Sequence, residues 1–188
     1  MSKKLKVRKR YLLKATIEFM ERIRFYLIPT AQGRIKWLKK HNKFAYIGEH
    51  VHYQPRKYPT DSKNIKIHNN VAIASNVEFT AHDIIHFVFD GQEGKRTYKE
   101  YEGCIEILDN VFIGAGTRIL PNVKIGPNSI IAAESLVVKD VPEGTIVGGN
   151  PAKVIGNFDD LKKKRKMYSD SHQNFNNSKL WDEFYRKE

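Results

Sequence analysis

The stretch ILDNVFIGAGTRILPNVKIGPNSIIAAESLVVKDVP spans residues 107–142 and decides the fold. An aliphatic residue stands at every sixth position in it: Ile107, Ile113, Ile119, Ile125, Ile131 and Val137. The same step occurs earlier in the chain, at Ile67, Ile73 and Phe79. An α-helix would scatter these side chains, because six residues rotate a helix by roughly 240°. The step suits a coil of short strands in which each repeat forms one flat face and the apolar residues stack inward.

The residues between these positions indicate tight corners. Eight of the nine positions are followed, four residues later, by a small or β-branched residue: Val71, Val77, Val111, Thr117, Val123, Ser129, Ser135 and Val141. Glycine and asparagine fill the gaps and are suited to the left-handed backbone that a corner requires. Three repeats would close one coil of about 18 residues. The less regular stretch at 47–51 is a candidate for the start of a further coil.

The positive charge is concentrated at one end of the chain. The 188 residues carry a net charge of +12, and residues 1–45 hold 14 Lys and Arg against only two acids, Glu18 and Glu21. The remaining residues hold equal numbers of basic and acidic side chains. A single cysteine, Cys104, excludes an intrachain disulfide and a cysteine-based metal site. We therefore expect a cytoplasmic protein with a neutral body and a basic N-terminal segment.

An amphipathic helix is predicted between Lys9 and Ile28, ended by Pro29. Its apolar residues recur mostly at steps of three and four: Leu12, Leu13, Ile17, Met20, Ile23 and Leu27. Three interpretations are open. The helix packs on the main domain with its basic residues in water, or it lies on an anionic membrane surface, or it binds nucleic acid. Nucleic acid is the least favoured, since no recognised nucleic-acid motif accompanies the charge.

The stretch at 107–142 resembles the hexapeptide-repeat acyltransferases. It runs on into Gly-Gly-Asn-Pro-Ala-Lys-Val-Ile at 148–155, which is similar to the end of the coil in the maltose/galactoside and xenobiotic acetyltransferases. The resemblance covers about residues 64–156. It implies a left-handed parallel β-helix of hexapeptide repeats, acetyl-CoA as co-substrate with no metal required, and a homotrimer with CoA in the groove between neighbouring coils.

The expected organisation has three parts. Residues 1–45 form a basic N-terminal helical segment, residues 46–156 form the β-helix with a loop insertion at 84–103, and residues 157–188 form a short helical tail. In the insertion, aromatic side chains such as Phe87 and Tyr98 either cover the acceptor or tether the loop. In the tail, an amphipathic segment at 180–185 either caps the coil or packs on a neighbour.

Acetyl transfer to a hydroxyl needs a base of near-neutral pKa, for which histidine is suited. His82 stands where the six-residue rhythm breaks and a loop leaves the coil, and the resemblance places the catalytic histidine there. His86 is the nearest rival for this role and otherwise an acceptor contact. Asp83 is a candidate to orient the imidazole, although a backbone carbonyl serves as well because neighbours in an extended chain point to opposite sides.

The resemblance also implies the remaining site residues. It carries CoA binding onto Ala115, Ala133, Val138, Lys139 and Lys153, with the lysines facing phosphates. A second basic residue usual in the family is replaced here by Gly156. Asp61 and Ser62 fall near the region that contacts the acceptor.

The expected function is therefore acetyl-CoA-dependent O-acetylation of a saccharide, in a surface-polysaccharide pathway. Two other classes are weighed against it. One is a metal enzyme resembling the γ-type carbonic anhydrases, drawing on His68, His82 and His86. The other is a non-catalytic β-helix scaffold whose basic arm binds polyanions or membrane.

Overall fold

The computed structural model describes residues 3–172 and 180–185. Its central part is a parallel β coil with three faces. The first face contains β1 (Tyr46–Ile47), β3 (Ile65–Ile67), β8 (Ile105–Ile107) and β11 (Val123–Ile125). The second contains β2 (His52–Tyr53), β4 (Val71–Ile73), β9 (Val111–Ile113), β12 (Ser129–Ile131) and β14 (Thr145–Gly148). The third contains β5 (Glu78–Phe79), β10 (Arg118–Ile119) and β13 (Leu136–Val137).

The strand register confirms the predicted stacking of the six-residue repeats. Ile67 pairs with Ile107 and Ile107 with Ile125, while Phe79 pairs with Ile119 and Ile119 with Val137. All nine apolar positions are buried, and so are the eight small or β-branched residues that follow them. Full burial of one such aliphatic side chain stabilises the fold by about 1.5–3 kcal/mol. The parallel coil is thus confirmed, whereas its left-handed winding stays a prediction.

Left-handed residues form the corners, as the glycine and asparagine pattern predicts. Asn70, Asn110 and Asn128 have positive φ, and each comes three residues after an inward-facing isoleucine. Their side chains form a ladder, with hydrogen bonds of 2.8 Å from Asn70 to Asn110 and 3.0 Å from Asn110 to Asn128. His50, three residues after Ile47, also has a positive φ of 55°. The stretch at 47–51 therefore does begin a coil.

Two helices precede the coil and extend its core. They are α1 (Lys3–Tyr26) and α2 (Ala31–Lys40), and the Thr30 side chain caps α2 by accepting a hydrogen bond from the Gly33 amide. Phe25 and Leu38 are fully buried, and Phe25 packs edge-on against Tyr58 with ring centroids 5.1 Å apart. The core is therefore not formed by strands alone. The two helices close the N-terminal end of the coil with aromatic and aliphatic side chains.

The predicted apolar stripe of α1 does not pack against the coil. Its residues are exposed, from 38% for Ile23 to 68% for Leu27, and among the described side chains of α1 the fully buried one is Phe25 in the last turn. The structure thus corrects the interpretation in which this stripe is the packing face. At 100° per residue, the buried Phe25 lies on the opposite side of the helix from the stripe.

The insertion at 84–103 is more ordered than the loop expected from the sequence. It contains α3 (Ile85–Glu93), and its ends form an antiparallel pair, β6 (His82–Asp83) with β7 (Tyr101–Glu102). Asp83 accepts a hydrogen bond of 3.0 Å from the Ile85 amide at the start of α3, and Gly94 ends the helix in the left-handed region. After the coil come β15 (Lys153–Asn157), antiparallel to β14, then α4 (Phe158–Ser171) and α5 (Leu180–Tyr185). Residues 173–179 and 186–188 of the predicted tail lie outside the described residues.

Candidate active site

The imidazole of His82 and the carboxylate of Asp61 form a hydrogen-bonded pair at the edge between the third and first faces. His82 comes three residues after the inward-facing Phe79, in a corner position. Asp61 comes just before a short 3₁₀ helix, Ser62–Asn64, in the preceding coil. Nδ1 of the imidazole bonds Oδ2 of Asp61, which leaves Nε2 for other partners. Both side chains are about one-third exposed, so the pair is open to solvent.

Acidic groups surround the imidazole and favour its protonated form. The hydrogen bond to Asp61 is the main cause that raises the pKa of His82, and the charges of Asp61, Glu100 and Glu102 add to it. Burial acts in the opposite direction. Glu100 Oε1 lies 3.8 Å from Nε2. The result is a base whose affinity for a proton is higher than that of an ordinary histidine.

The structure brings Asp61, and not Asp83, to the imidazole. The Asp83 carboxylate instead accepts the hydrogen bond from Ile85 described above, because neighbouring residues in extended chain point to opposite sides. The hypothesis that Asp83 orients His82 is therefore not supported by the hydrogen bonds. Asp61, expected only as an acceptor contact, is instead the residue whose carboxylate bonds the imidazole. Ser62 beside it is buried.

His86 is on α3 and is not a hydrogen-bond partner of this pair. Its Nδ1 is buried and makes no hydrogen bond within the part of the chain that the structure describes. Asp90, one helical turn further on, receives hydrogen bonds from the amides of Thr97 and Tyr98 and so closes the turn after α3. His68 is on another face, with Nε2 3.0 Å from Glu106 Oε1. Of the histidines singled out in the sequence, His82 alone bonds a carboxylate at the edge where the insertion leaves the coil.

The base of the insertion is fixed to the coil beside His82. The Gly103 amide donates to the Ala81 carbonyl at 2.7 Å. The amide side chain of Asn122 donates to the Tyr101 hydroxyl at 2.6 Å. Asn122 is the corner residue of the next coil, in the position equivalent to His82. The imidazole is therefore held on a rigid frame while α3 projects outward.

The residues expected to bind CoA lie along two edges of the coil. Val138 and Lys139 come directly after β13, in the positions equivalent to Thr80 and Ala81 after β5. They therefore lie on the same edge of the coil as His82, but two coils further on. Two strand spacings separate their backbone from that of the His82 segment by about 10 Å. Ala115 and Ala133 stack on the edge between the second and third faces, where the Glu134 amide donates to the Ala115 carbonyl at 2.8 Å. Lys153 is the first residue of β15 and is exposed. The third face, β5–β10–β13, lies between these two edges.

These residues fit a thioester with a phosphate-bearing carrier. Ala115 and Ala133 are small residues on one edge, whereas Gly114 beside them is required by the packing between coils, since a Cβ on it would come within 2.4 Å of the Ala133 nitrogen. Lys139 and Lys153 are exposed and have no carboxylate within 4.0 Å among the described residues. They are thus available to phosphate oxygens.

Comparison with known families agrees with the repeat described above. Residues 105–139 match the family model "Bacterial transferase hexapeptide (six repeats)". This part of the chain carries the bacterial transferase hexapeptide repeat. The resemblance to hexapeptide-repeat acetyltransferases that the sequence indicates is therefore confirmed.

Relatives of this hexapeptide-repeat chain bear acetyltransferase names. The galactoside O-acetyltransferase of Escherichia coli is 33% identical over 139 residues, which cover 70% of this chain and 65% of that protein. Serine acetyltransferase 4 of Arabidopsis thaliana is 41% identical over 92 residues, 49% of this chain and 25% of that protein. Two further relatives, from Saccharomyces cerevisiae and Bacillus subtilis, are 40% and 38% identical over 111 and 106 residues. The chain spans about half the length of these two proteins, 54% of each.

Solved structures of hexapeptide-repeat acetyltransferases share the fold. A galactoside acetyltransferase in complex with coenzyme A has a TM-score of 0.57 and 27% identity, over 77% of this chain and 80% of that one. A maltose O-acetyltransferase from Clostridium difficile has a TM-score of 0.54 and 26% identity, over 73% and 82%.

Two residues near His82, Glu100 and Glu102, were not predicted from the sequence. Glu100 and Glu102 approach His82 because the insertion returns antiparallel to its own start, and that pairing has no six-residue signal. The contact between Asp61 and His82 has no six-residue signal either. Ile47 pairs with Ile67, so the first coil is two residues longer than the regular repeat of about 18 predicts, and only the structure shows this.

Proposed function

We propose that this hexapeptide-repeat chain is an acetyl-CoA-dependent O-acetyltransferase that acts on a saccharide hydroxyl. The observation that carries the proposal is the Asp61–His82 pair on the same coil edge as Lys139. It supplies a base with a raised pKa next to surfaces that fit a CoA thioester. The names of the relatives favour the same reaction class, and two of them name galactoside or maltose as the acceptor.

In the proposed reaction His82 is the general base. Asp61 fixes the imidazole by the hydrogen bond at Nδ1, so that Nε2 faces the acceptor hydroxyl. Nε2 takes the hydroxyl proton as the oxygen attacks the thioester carbonyl of acetyl-CoA, a carbon–oxygen bond forms and the carbon–sulfur bond breaks. Asp61 stabilises the resulting imidazolium, which then protonates the departing thiolate. No covalent bond to the enzyme is formed.

The test is detection of free CoA from acetyl-CoA across a panel of sugars and sugar phosphates. Replacing the base should lower turnover by about 10²- to 10⁴-fold, so His82→Ala is expected to fall in that range. His86→Ala is the matched variant, since His86 is the rival histidine but is not the one that bonds Asp61. If His82→Ala keeps turnover, or if the protein has no affinity for acetyl-CoA, the proposal is wrong.

We further propose that the coil winds left-handed and that the chain assembles as a homotrimer, with CoA held between neighbouring coils. Exposed apolar residues on α3 support such an interface, among them Phe87, which is 74% exposed, and Val88, which is 66% exposed. The expected assembly has three times the mass of the 21.8 kDa chain in light scattering. A monomer that turns over at full rate would contradict it.

The exposed stripe on α1 supports a contact with an anionic membrane, in line with a polysaccharide-modifying role. Within the described residues no helix is both long and apolar enough to cross a bilayer. The helix α1 has nine cationic and two acidic residues, and every described side chain from Leu12 to Met20 is exposed. A helix with an apolar stripe and this charge is suited to lie in the interface of a membrane that contains acidic lipids.

A further inference from the structure

A cationic groove of about 530 Å³ lies where the N-terminal helices meet the first coils. Its walls are formed by Tyr26, Arg34 and two segments of chain, 54–57 and 75–78. The segment at 54–57 follows β2, and the segment at 75–78 is a corner between the second and third faces. None of these residues belongs to the Asp61–His82 pair or to the residues expected to bind CoA.

The groove contains three cations and one acid. Arg34, Arg56 and Lys57 line it together with Glu78, and the Glu78 carboxylate is already held by Arg118, whose Nε donates to it at 3.0 Å. Arg34 is buried and donates to the backbone carbonyls of Tyr53 and Ile28. None of the three cations has a carboxylate within 4.0 Å in the described part of the chain.

Two of these cations repel each other. Burial is the largest cause that lowers the pKa of Arg34, and the nearby charge of Arg56 lowers it further. Arg56 makes one hydrogen bond, from Nη1 to the Tyr26 carbonyl at 3.1 Å, and its remaining donors have no partner among the described residues. An anion in the groove would relieve the repulsion and accept these donors.

Two short segments of chain, 56–61 and 78–82, connect the groove to the Asp61–His82 pair. Glu78 in the groove precedes His82 by four residues, and Arg56 precedes Asp61 by five. Four residues of fully extended chain span at most about 14 Å. An acceptor of ordinary size can therefore place one end in the groove and a hydroxyl at the imidazole.

A second, apolar cavity of about 300 Å³ adjoins the groove. It shares Tyr26, Arg56 and Lys57 with the groove, and Phe19 and Ile23 of α1 and Leu27 just after the helix contribute to its walls. Arg56 and Lys57 thus border both the groove and the apolar cavity.

From this arrangement we infer that the groove binds a phosphate or diphosphate of the acceptor, so that the acceptor is a phosphorylated saccharide rather than a free sugar. This inference rests on the proposed acetyl transfer and names its substrate class. The phosphate belongs either to a nucleoside-diphosphate sugar or to a saccharide on a lipid diphosphate. The shared chemistry is the sugar phosphoester.

Binding is tested first, without turnover, by titrating the full chain with inorganic pyrophosphate at low salt. One charge-assisted hydrogen bond is typically worth about tenfold in affinity, so Arg56→Gln/Lys57→Gln is expected to bind at least about tenfold more weakly. Lys36→Gln is the matched control, because Lys36 is an exposed lysine of α2 that does not line the groove. Equal affinity in the double variant and the control overturns the inference, whether or not the protein transfers acetyl groups.

Turnover then identifies the carrier. We compare kcat/KM for a sugar, its 1-phosphate, a nucleoside-diphosphate sugar and a polyprenyl-diphosphate sugar in detergent. The phosphorylated forms are expected to be preferred by at least about tenfold, and Arg56→Gln/Lys57→Gln to reduce that preference while Lys36→Gln keeps it. Equal use of the free sugar overturns the inference.

The variant Ile23→Ser separates the two carriers. A loss confined to the polyprenyl substrate identifies a lipid carrier, and preference for the nucleoside-diphosphate sugar with no such loss identifies a nucleotide carrier. If pyrophosphate binding depends on Arg56 and Lys57 but no acceptor is acetylated, the groove is supported and the acetyl transfer is what fails.

Discussion

The carboxylate of Asp61 bonds Nδ1 of His82, although 21 residues separate the two in the sequence. The coil brings them together, since each belongs to the same edge in consecutive turns. The hydrogen bond to Asp61 restricts the orientation of the ring, and it is also the main cause that raises the pKa of His82. Both effects have measurable consequences.

The pH dependence of turnover should report this pair. A general base must be neutral, and the pKa of His82 is raised mainly by Asp61, so kcat/KM should rise with pH along a limb whose midpoint lies above the ordinary value for histidine. In Asp61→Asn the midpoint should move to lower pH, and kcat should fall because the ring is no longer fixed. Asp83→Asn is the control, since Asp83 contacts the start of α3. An unchanged midpoint in Asp61→Asn would show that the pair does not form in solution.

The same shift links the pair to stability with a definite sign. A raised pKa in the folded state adds stability that is fully present below the unfolded pKa of histidine and is lost as the pH rises through the folded value. Urea denaturation at pH values on either side of that range should show the wild-type chain losing its stability advantage over His82→Gln as pH increases. If the difference in the free energy of unfolding between the wild-type chain and His82→Gln does not change with pH, the pKa of His82 is not raised in the folded state.

Neighbouring residues of β11 should differ sharply in their contribution to stability. Ile125 is fully buried and pairs with Ile107 and Val141, whereas Lys124 points outward from the same strand. Ile125→Ala should lower the free energy of unfolding by about 2–5 kcal/mol because it leaves a cavity between coils. Lys124→Ala should change it by less than about 0.5 kcal/mol. Similar denaturation midpoints for the two variants would argue against inward stacking.

Two glycines should respond in opposite directions to replacement by alanine. A Cβ at Gly114 would lie 2.4 Å from the Ala133 nitrogen in the next coil, so Gly114→Ala should destabilise the fold by about 1–3 kcal/mol or more. Gly91 lies within α3, where an added Cβ would meet no other atom within 4 Å, so Gly91→Ala should be neutral or stabilise by up to about 1 kcal/mol. The measurement is the thermal denaturation midpoint of both variants and of the wild-type chain. A Gly114→Ala chain with the wild-type midpoint would contradict the close contact between coils.

Vesicle co-sedimentation tests the stripe on α1. The wild-type chain should bind vesicles that contain phosphatidylglycerol, with weaker binding to neutral phosphatidylcholine vesicles and at high salt. Leu13→Ser/Ile17→Ser should reduce binding by at least about tenfold, because two exposed apolar side chains lose their burial in the lipid interface. Ala15→Ser is the matched control on another side of the helix. Vesicle binding that is the same for charged and neutral lipids and is unchanged in the double variant would contradict the membrane contact. If the double variant instead has a lower mass in solution than the wild-type assembly, the stripe is an interface with a second copy of the chain.

The six-residue repeat alone determined the coil, its inward-facing residues and its corners. Ile113 and Asn110 illustrate why: each repeat specifies its own strand and its own left-handed corner, and identical repeats can pair only by stacking in register. The position of His82 followed from the same rhythm, because a break in a regular coil marks the place where chain leaves it.

Only the tertiary structure determined which residues contact that histidine and which side of the N-terminal helix packs against the coil. Asp61, Glu100 and Glu102 reach His82 from three points of the chain that share no repeat, so their approach depends on the extra residues in the first coil and on the antiparallel return of the insertion. The stripe of α1 has the period of a packing face, yet it is Phe25 on the opposite side that enters the core. Periodicity states which residues of a helix share a side, and only the arrangement of the other elements determines which side is covered.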